Sequence, residues 1–227
     1  MLQSLLLLAG EVELPFLAAV LREHNPALEV VPIGNAAALP PPGSPLLRRA
    51  RIVAFAFPEI VPGPVLRAAG FGAYNLHPGP PGYPGWAPAS WAAYEGAGRF
   101  GVTLHVMADR VDAGPIVAVE EFEVPPGIHA RALEESAYAA AARLFWRMAP
   151  DLAAHAEPLP PGPWQWGQPR RTRRDYAAMC DLPADISEAE LTRRLRGFGY
   201  GGDGAPVPAV TLFGQRFRWQ EPSGGGA

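Results

Sequence analysis

The run Ile52-Val53-Ala54-Phe55-Ala56-Phe57, then Pro58-Glu59-Ile60-Val61-Pro62-Gly63-Pro64, then Val65-Leu66-Arg67-Ala68-Ala69-Gly70, then Ala73-Tyr74-Asn75-Leu76-His77, decides the fold class. An uncharged apolar run of six residues reads as a central strand buried on both faces. The prolines at 58, 62 and 64 shape a loop, Val65 to Ala69 forms a short helix that Gly70 ends, and Ala73 to Leu76 returns as a second strand. Strand, helix, strand over so short a stretch predicts an α/β chain with a mostly parallel sheet flanked by helices.

Working outward, the same alternation continues. Leu2 to Ala9 is apolar but lacks a positive flank and runs straight into Glu11 and Glu13, so it reads as a buried first strand, not as a signal peptide or membrane span. Pro15 opens a helix over Phe16 to His24, Leu28 to Ile33 is a strand, and Asn35 to Pro45 is a proline-rich loop. Downstream come a helix over Ala89 to Tyr94, a strand over Gly101 to Met107, the turn Asp112-Ala113-Gly114-Pro115 and a strand over Ile116 to Phe122. From His129 to His155, Leu133, Ala137, Ala141, Leu144, Phe145, Met148 and Leu152 recur at helical spacing, with a kink expected at Pro150. Pro158 to Pro169, with Trp164 and Trp166, is a linker by composition, which divides the chain into residues 1–157 and a small C-terminal α+β appendage, 158–227. In that appendage Ser187 and Glu190 predict a capping box for a helix over Glu188 to Arg196 that Gly197 stops. Strands over Val207 to Leu212 and Arg216 to Gln220 follow, and the glycine-rich tail is expected to be mobile.

Composition narrows the chemistry. All 19 basic residues are arginine, so a Schiff-base lysine, a phosphate-loop lysine and a lysine general base are excluded. A net charge of −3 supplies no overall basic field and speaks against nucleic acid or an anionic membrane as partner. The single cysteine, Cys180, rules out an intrachain disulfide and a multi-cysteine zinc site; it reads as a buried thiol in a cytoplasmic protein. No histidine spacing suits a metal, and His24, His105, His129 and His155 read as structural.

Asn75 and His77 flank Leu76 and share one face of an extended chain, and Asp112 stands on a turn further on. By residue type alone these are turn-making or hydrogen-bonded fixtures as readily as catalysts. Their surroundings change that reading: Tyr74-Asn75-Leu76-His77-Pro78, Trp86-Ala87-Pro88-Ala89-Ser90-Trp91-Ala92, Gly101-Val102-Thr103-Leu104-His105-Val106-Met107 and Val111-Asp112-Ala113-Gly114-Pro115-Ile116-Val117. In that order, from about Arg51 to Phe122, the chain closely resembles the formyltransferase family that uses 10-formyltetrahydrofolate, which includes methionyl-tRNA, glycinamide-ribonucleotide and nucleotide-sugar formyltransferases.

The resemblance implies a Rossmann-like fold and a catalytic trio of Asn75, His77 and Asp112, with no metal. The donor, 10-formyltetrahydrofolate, would lie between the segment containing Phe57, Pro58 and Ile60 and the loop containing Val111 and Gly114, held largely by main-chain bonds. The expected reaction is formyl transfer to the primary amine of a small acceptor, with a nucleotide-linked amino sugar as one candidate. A folate-binding domain without turnover, and transfer to water or another nucleophile, are the alternatives. Gly79-Pro80-Pro81-Gly82 and Pro84-Gly85 depart from the family's usual residues after the histidine, which leaves the acceptor open. Glu11 and Glu13 stand where purine-pathway members carry a glycine-rich phosphate loop, which argues against that role. The appendage resembles the opening of the C-terminal region of methionyl-tRNA and sugar enzymes and is too short for a full tRNA-binding barrel. Arg170, Arg171, Arg173 and Arg174 read either as a grip for an acceptor phosphate or as a solvated basic surface.

Overall fold

In the computed structural model, which describes residues 2–221, the apolar run that opens the chain forms β1 (Ser4–Leu8), buried throughout. It lies between β2 (Glu29–Ile33) and β3 (Ala50–Phe55), parallel to both, and β3 pairs in parallel with β4 (Ala73–His77). Then the direction changes. β5 (Arg99–Val106) runs antiparallel to β4, and β6 (Ile116–Glu123) antiparallel to β5, giving the order β2-β1-β3-β4-β5-β6. The mostly parallel Rossmann-like sheet is therefore present. Asp112, however, follows a strand antiparallel to β4, so it reaches Asn75 and His77 across the face of the sheet and not at neighbouring parallel strand ends.

Alternation along the strands sorts side chains to two cores. Leu5, Leu7, Val53, Phe55, Tyr74, Leu76, Val102 and Leu104 pack with α1 (Leu14–His24) and α5 (Ala130–Ala154). Leu6, Leu8, Ile52, Ala54 and Ala73 pack with α2 (Pro45–Arg48) and α3 (Gly63–Ala68) on the opposite face. Asn75 and His77 lie on that second face, beyond the cover of α2 and α3, because Tyr74 and Leu76 occupy the first.

Arg51 is fully buried at the base of β3 and donates to the carbonyls of Phe71, Asp151, Leu152 and Glu157 at 2.7–3.0 Å. A cation against the last carbonyls of α5 meets the negative end of the helix dipole and ties that end to the sheet. Burial pulls the guanidinium below its usual value, with Tyr74 and Asp151 opposing. Pro150 sits inside α5 without ending it.

After α5 the chain crosses the sheet as an extended segment and forms α6 (Arg173–Cys180), a helix with no expectation from sequence. The capping box is found here: the Thr172 side chain accepts from Asp175 N–H, and the Asp175 carboxylate accepts from Thr172 N–H. At α7 (Glu188–Phe198) only half of the predicted box forms, because the Glu190 carboxylate is taken by Tyr94 and Arg194. A three-stranded sheet, β7 (Asp181–Leu182), β8 (Ala209–Leu212) and β9 (Gln215–Arg218), completes the fold. The Cys180 thiol is buried, donates to the Pro206 carbonyl at 3.1 Å, and is pushed up to about 12 by burial, as befits a structural thiol. The glycine-rich tail lies outside the described residues.

Gly197 does not stop α7, which runs on to Phe198. A β-carbon at Gly197 would lie 2.6 Å from the Ser90 carbonyl oxygen, so the missing side chain lets α7 press against α4 (Pro88–Glu95). That contact brings Phe198 against Trp91 and Tyr176, with ring centroids 5.0 and 4.9 Å apart. Gly197→Ala should improve helix propensity by about 1 kcal/mol and still destabilise the chain by about 1–3 kcal/mol through overpacking, read as a lower denaturation midpoint with an unchanged m-value.

Candidate active site

Register builds the site. Asn75 pairs with His105 and His77 with Thr103 across β4 and β5, so four polar side chains share one patch of the sheet face. Three of them, His77, Thr103 and His105, are buried. Thr103 Oγ1 donates to the Gly79 carbonyl at 2.8 Å and fixes the start of the proline–glycine loop. A β-carbon at Gly79 would stand 2.7 Å from His77 Nε2 and 2.6 Å from Pro88, so only glycine lets this loop lie against the imidazole.

Asp112 completes the group from the loop between β5 and β6. Its backbone is left-handed, with φ of 45°, and this aims the carboxylate back at the sheet. The return is possible because Gly114 lies where a β-carbon would be 1.9 Å from the Val106 carbonyl oxygen. Asp112 Oδ2 lies 3.5 Å from His77 Nδ1 and accepts from Gly85 N–H at 2.8 Å, and Oδ1 lies 3.4 Å from His105 Nε2. Asn75 Nδ2 is 3.3 Å from that same His105 nitrogen. Asn75, His77 and Asp112 are thus brought together, and His105, which the sequence reading set aside as structural, is the piece that joins Asn75 to Asp112. The spacing of two from Thr103 on one strand was the available signal for it.

His105 has acceptors on both sides, the Val106 carbonyl 2.9 Å from Nδ1 and Asp112 Oδ1 3.4 Å from Nε2, and Asn75 Nδ2 lies 3.3 Å from that Nε2. His77 has acceptors on both sides, the Asp112 carboxylate at Nδ1 and the Tyr83 carbonyl 3.1 Å from Nε2. Burial works against the charged carboxylate, but His77, His105 and Gly85 N–H outweigh it and hold the Asp112 carboxyl down to about 2. Burial also pulls the His77 imidazole below its ordinary 6.5; His105 adds to this, while Asp112 and the Tyr83 carbonyl oppose it. At neutral pH the pair is a carboxylate beside a neutral imidazole.

The residues expected to hold a donor fall on adjoining segments. Phe57 is half-buried against the α3 core, and Pro58 and Ile60 are exposed. Val111 is exposed on the facing loop. An Arg67–Asp109 ion pair at 2.6 Å links α3 to that loop. Gly114 is buried, and its carbonyl accepts from Trp166 Nε1 at 2.8 Å, which takes one of its two lone pairs. Trp166 and Arg170, from the segment read as a linker, are the second omission of the sequence reading: the indole packs on both imidazoles and Arg170 Nη2 donates to the Asp112 carbonyl at 2.6 Å. Among the other arginines, Arg171 is paired with Glu95 and lies over Trp91, and Arg173 lies over Trp86.

The lowered His77 and Asp112 set the acid limit of stability. As pH falls, the unfolded chain takes up a proton at His77 before the folded chain does, so stability is full above about pH 6.5 and declines below it. The Asp112 contribution is present above about pH 4 and is lost as pH falls towards 2. Denaturant unfolding followed from pH 8 to 5 should show this decline, and His77→Gln should flatten it.

A profile described as formyl transferase matches residues 47–148. The methionyl-tRNA formyltransferase of Syntrophus aciditrophicus (strain SB) is 36% identical over 111 residues, 48% of this chain and 36% of that protein, so the chain spans about a third of the relative's length. A sugar N-formyltransferase structure from Shewanella sp FDAARGOS_354 superposes with a TM-score of 0.72 at 17% identity, covering 96% of each chain. The N-formyltransferase of Helicobacter canadensis, solved with folinic acid and dTDP-3-aminofucose, gives 0.66 at 13% identity over 94% of this chain and 85% of that one. These structural likenesses establish a shared fold, and the sequence match covers the strands and the turn that carry Asn75, His77, His105 and Asp112. Residues 47–148 are therefore similar in sequence to the formyl transferase family, and the fold is one that sugar N-formyltransferase structures share.

Proposed function

We propose that this chain transfers a formyl group from 10-formyltetrahydrofolate to the primary amine of a small acceptor, a nucleotide-linked amino sugar being the first to test. The observation that carries the reading is the convergence of Asn75, His77, His105 and Asp112 on one patch of the sheet face, with successive contacts of 3.3–3.5 Å. Its support is the family match over residues 47–148 and the folinic acid and amino-sugar nucleotide held by the Helicobacter canadensis relative. Residues 1–157 would carry the reaction, with the donor between Phe57, Pro58 and Ile60 on one side and Val111 and Gly114 on the other. Exposed Ile60 and Val111 on neighbouring segments suit an apolar ring system.

The neutral amine attacks the formyl carbon and the carbonyl electron pair moves to oxygen. Asn75 can donate its amide N–H to that oxygen, and losing such a donor costs about 100- to 1,000-fold in rate. As the C–N bond to the folate breaks, its electron pair stays on the folate nitrogen, which takes up a proton. The proton released by the attacking nitrogen goes to Asp112, directly or through water, while His77, set between that carboxylate and the Tyr83 carbonyl, keeps the carboxylate in place. The products are a formamide and tetrahydrofolate.

A second reading, folate binding without turnover, is favoured by one feature: His77 Nε2 already faces the Tyr83 carbonyl, and the imidazole is buried. Purified protein incubated with the donor and amino-sugar nucleotides separates the two. The first reading expects a formamide product, and at least a 100-fold loss in Asp112→Asn with folate affinity kept. Tight folate binding without product from any amine would support the second, and an Asp112→Asn variant as fast as the native chain would overturn the mechanism.

A further inference from the structure

Residues 158–171 have the composition of a linker and the bonding of a structural element. Leu159 N–H donates to the Tyr74 hydroxyl at 2.8 Å, Gly162 N–H to the Ile116 carbonyl at 2.7 Å and Gly167 N–H to the Pro81 carbonyl at 2.9 Å. Arg171 N–H donates to Pro84, and Trp86 N–H to Arg171, at 3.0 and 2.9 Å. The segment is thereby fastened to β4, β6 and the proline–glycine loop and forms a strap over the face of the sheet that bears the trio.

Two of its side chains reach the site. The Trp166 ring lies 5.0 Å from His105 and 5.7 Å from His77 in near-perpendicular contact, and its N–H holds the Gly114 carbonyl. Arg170 Nη2 holds the carbonyl of Asp112 itself, while Arg170 Nε and Nη1 are buried without acceptors among the described residues. A guanidinium left so is poorly placed as a surface strap contact, and its one short bond goes to the residue whose left-handed backbone aims the carboxylate. Beneath the strap the side chains of His77, His105 and Asp112 are only 6, 3 and 3% exposed.

We propose that Trp166 is a positioning residue of the active site, holding the two imidazoles against Asp112 and keeping water from them, with Arg170 fixing the Asp112 turn beside it. The inference rests on the formyl-transfer reading for its purpose, but its geometry stands apart from turnover. Trp166 acts through His77, whose charged and titratable neighbours are Asp112 on the loop and His105 on β5, with the Tyr83 carbonyl as a further acceptor; the Arg170 guanidinium, on the strap, bonds the Asp112 carbonyl.

The test is an NMR titration of the imidazole resonances in the full chain, with His77 assigned by loss of its signal in His77→Gln. Native protein should titrate His77 below the ordinary value. Trp166→Ala should raise it by about one pKa unit by admitting water, while Trp166→Phe, which keeps the cover, should leave it near native. Should Trp166→Ala fail to fold, Trp166→Leu replaces it with the same expectation of a rise. A merely structural tryptophan would lower the melting temperature and leave the His77 titration of the folded state where it was, and that result would overturn the proposal. The readout does not need activity: a shifted His77 in a chain that makes no formamide keeps the positioning role and sinks formyl transfer, whereas an active native chain with an unmoved His77 in Trp166→Ala does the reverse.

Discussion

A single buried carboxylate organises this face of the molecule. Asp112 would be costly inside a protein without partners, and here it has three: Gly85 N–H on one oxygen and an imidazole towards each oxygen. Each partner is placed by a different part of the chain, His77 by β4, His105 by β5 and Gly85 by the proline–glycine loop. The loop that carries Asp112 accepts a left-handed residue, a strain of about 1 kcal/mol that an aspartate tolerates better than most side chains. The carboxylate therefore acts as a joint between strands, loop and strap, and what it holds in place is also what could perform chemistry.

The antiparallel turn of β5 against β4 makes this geometry possible. Had β5 continued the parallel order, Asn75 would face the side chains of a strand reached by a crossover, and the loop after that strand would open at the edge of the sheet. Antiparallel pairing sets Asn75 opposite His105, and the irregularity between Leu104 and His105 lets β6 shift relative to β5 where the Asp112 loop leaves. The other face of the sheet supplies the rigidity. Tyr74 and Leu76 are locked into the core under α5, and Arg51 pins the end of that helix, so the polar residues between them have little freedom to turn.

Much of this was legible in the sequence, for identifiable reasons. β1 and β3 are uncharged apolar runs, and a buried strand needs nothing else to be seen. Asn75, His77 and Asp112 were named because an ordered set of motifs surrounds them. His105 was missed because a histidine on a buried strand is usually structural; what gives it a role is Asn75 across the pair, and register is not written in either strand alone. Trp166 and Arg170 were missed for a different reason. Proline and glycine make a segment look like a connection, yet the same prolines stiffen it enough to lie along a surface, and only the folded partners reveal which surface. Gly197 misled because a glycine that ends a helix and one that admits a neighbouring helix read alike until the neighbour is placed.

Cover and access pull against each other at this site. The contacts of Asp112 with its partners keep it ionised, and burial keeps His77 neutral at neutral pH, so a carboxylate and an uncharged imidazole lie side by side. The same cover leaves Asn75, half-buried at the open side of the patch, as the most accessible of the trio. An acceptor amine must approach from that side or displace part of the strap. A donor resting between Ile60 and Val111 would meet Asn75 from the same direction. If both substrates of the proposed reaction enter from the Asn75 side, the roof over the imidazoles stays closed, and a fixed Trp166 and a pinned Asp112 turn then serve the reaction.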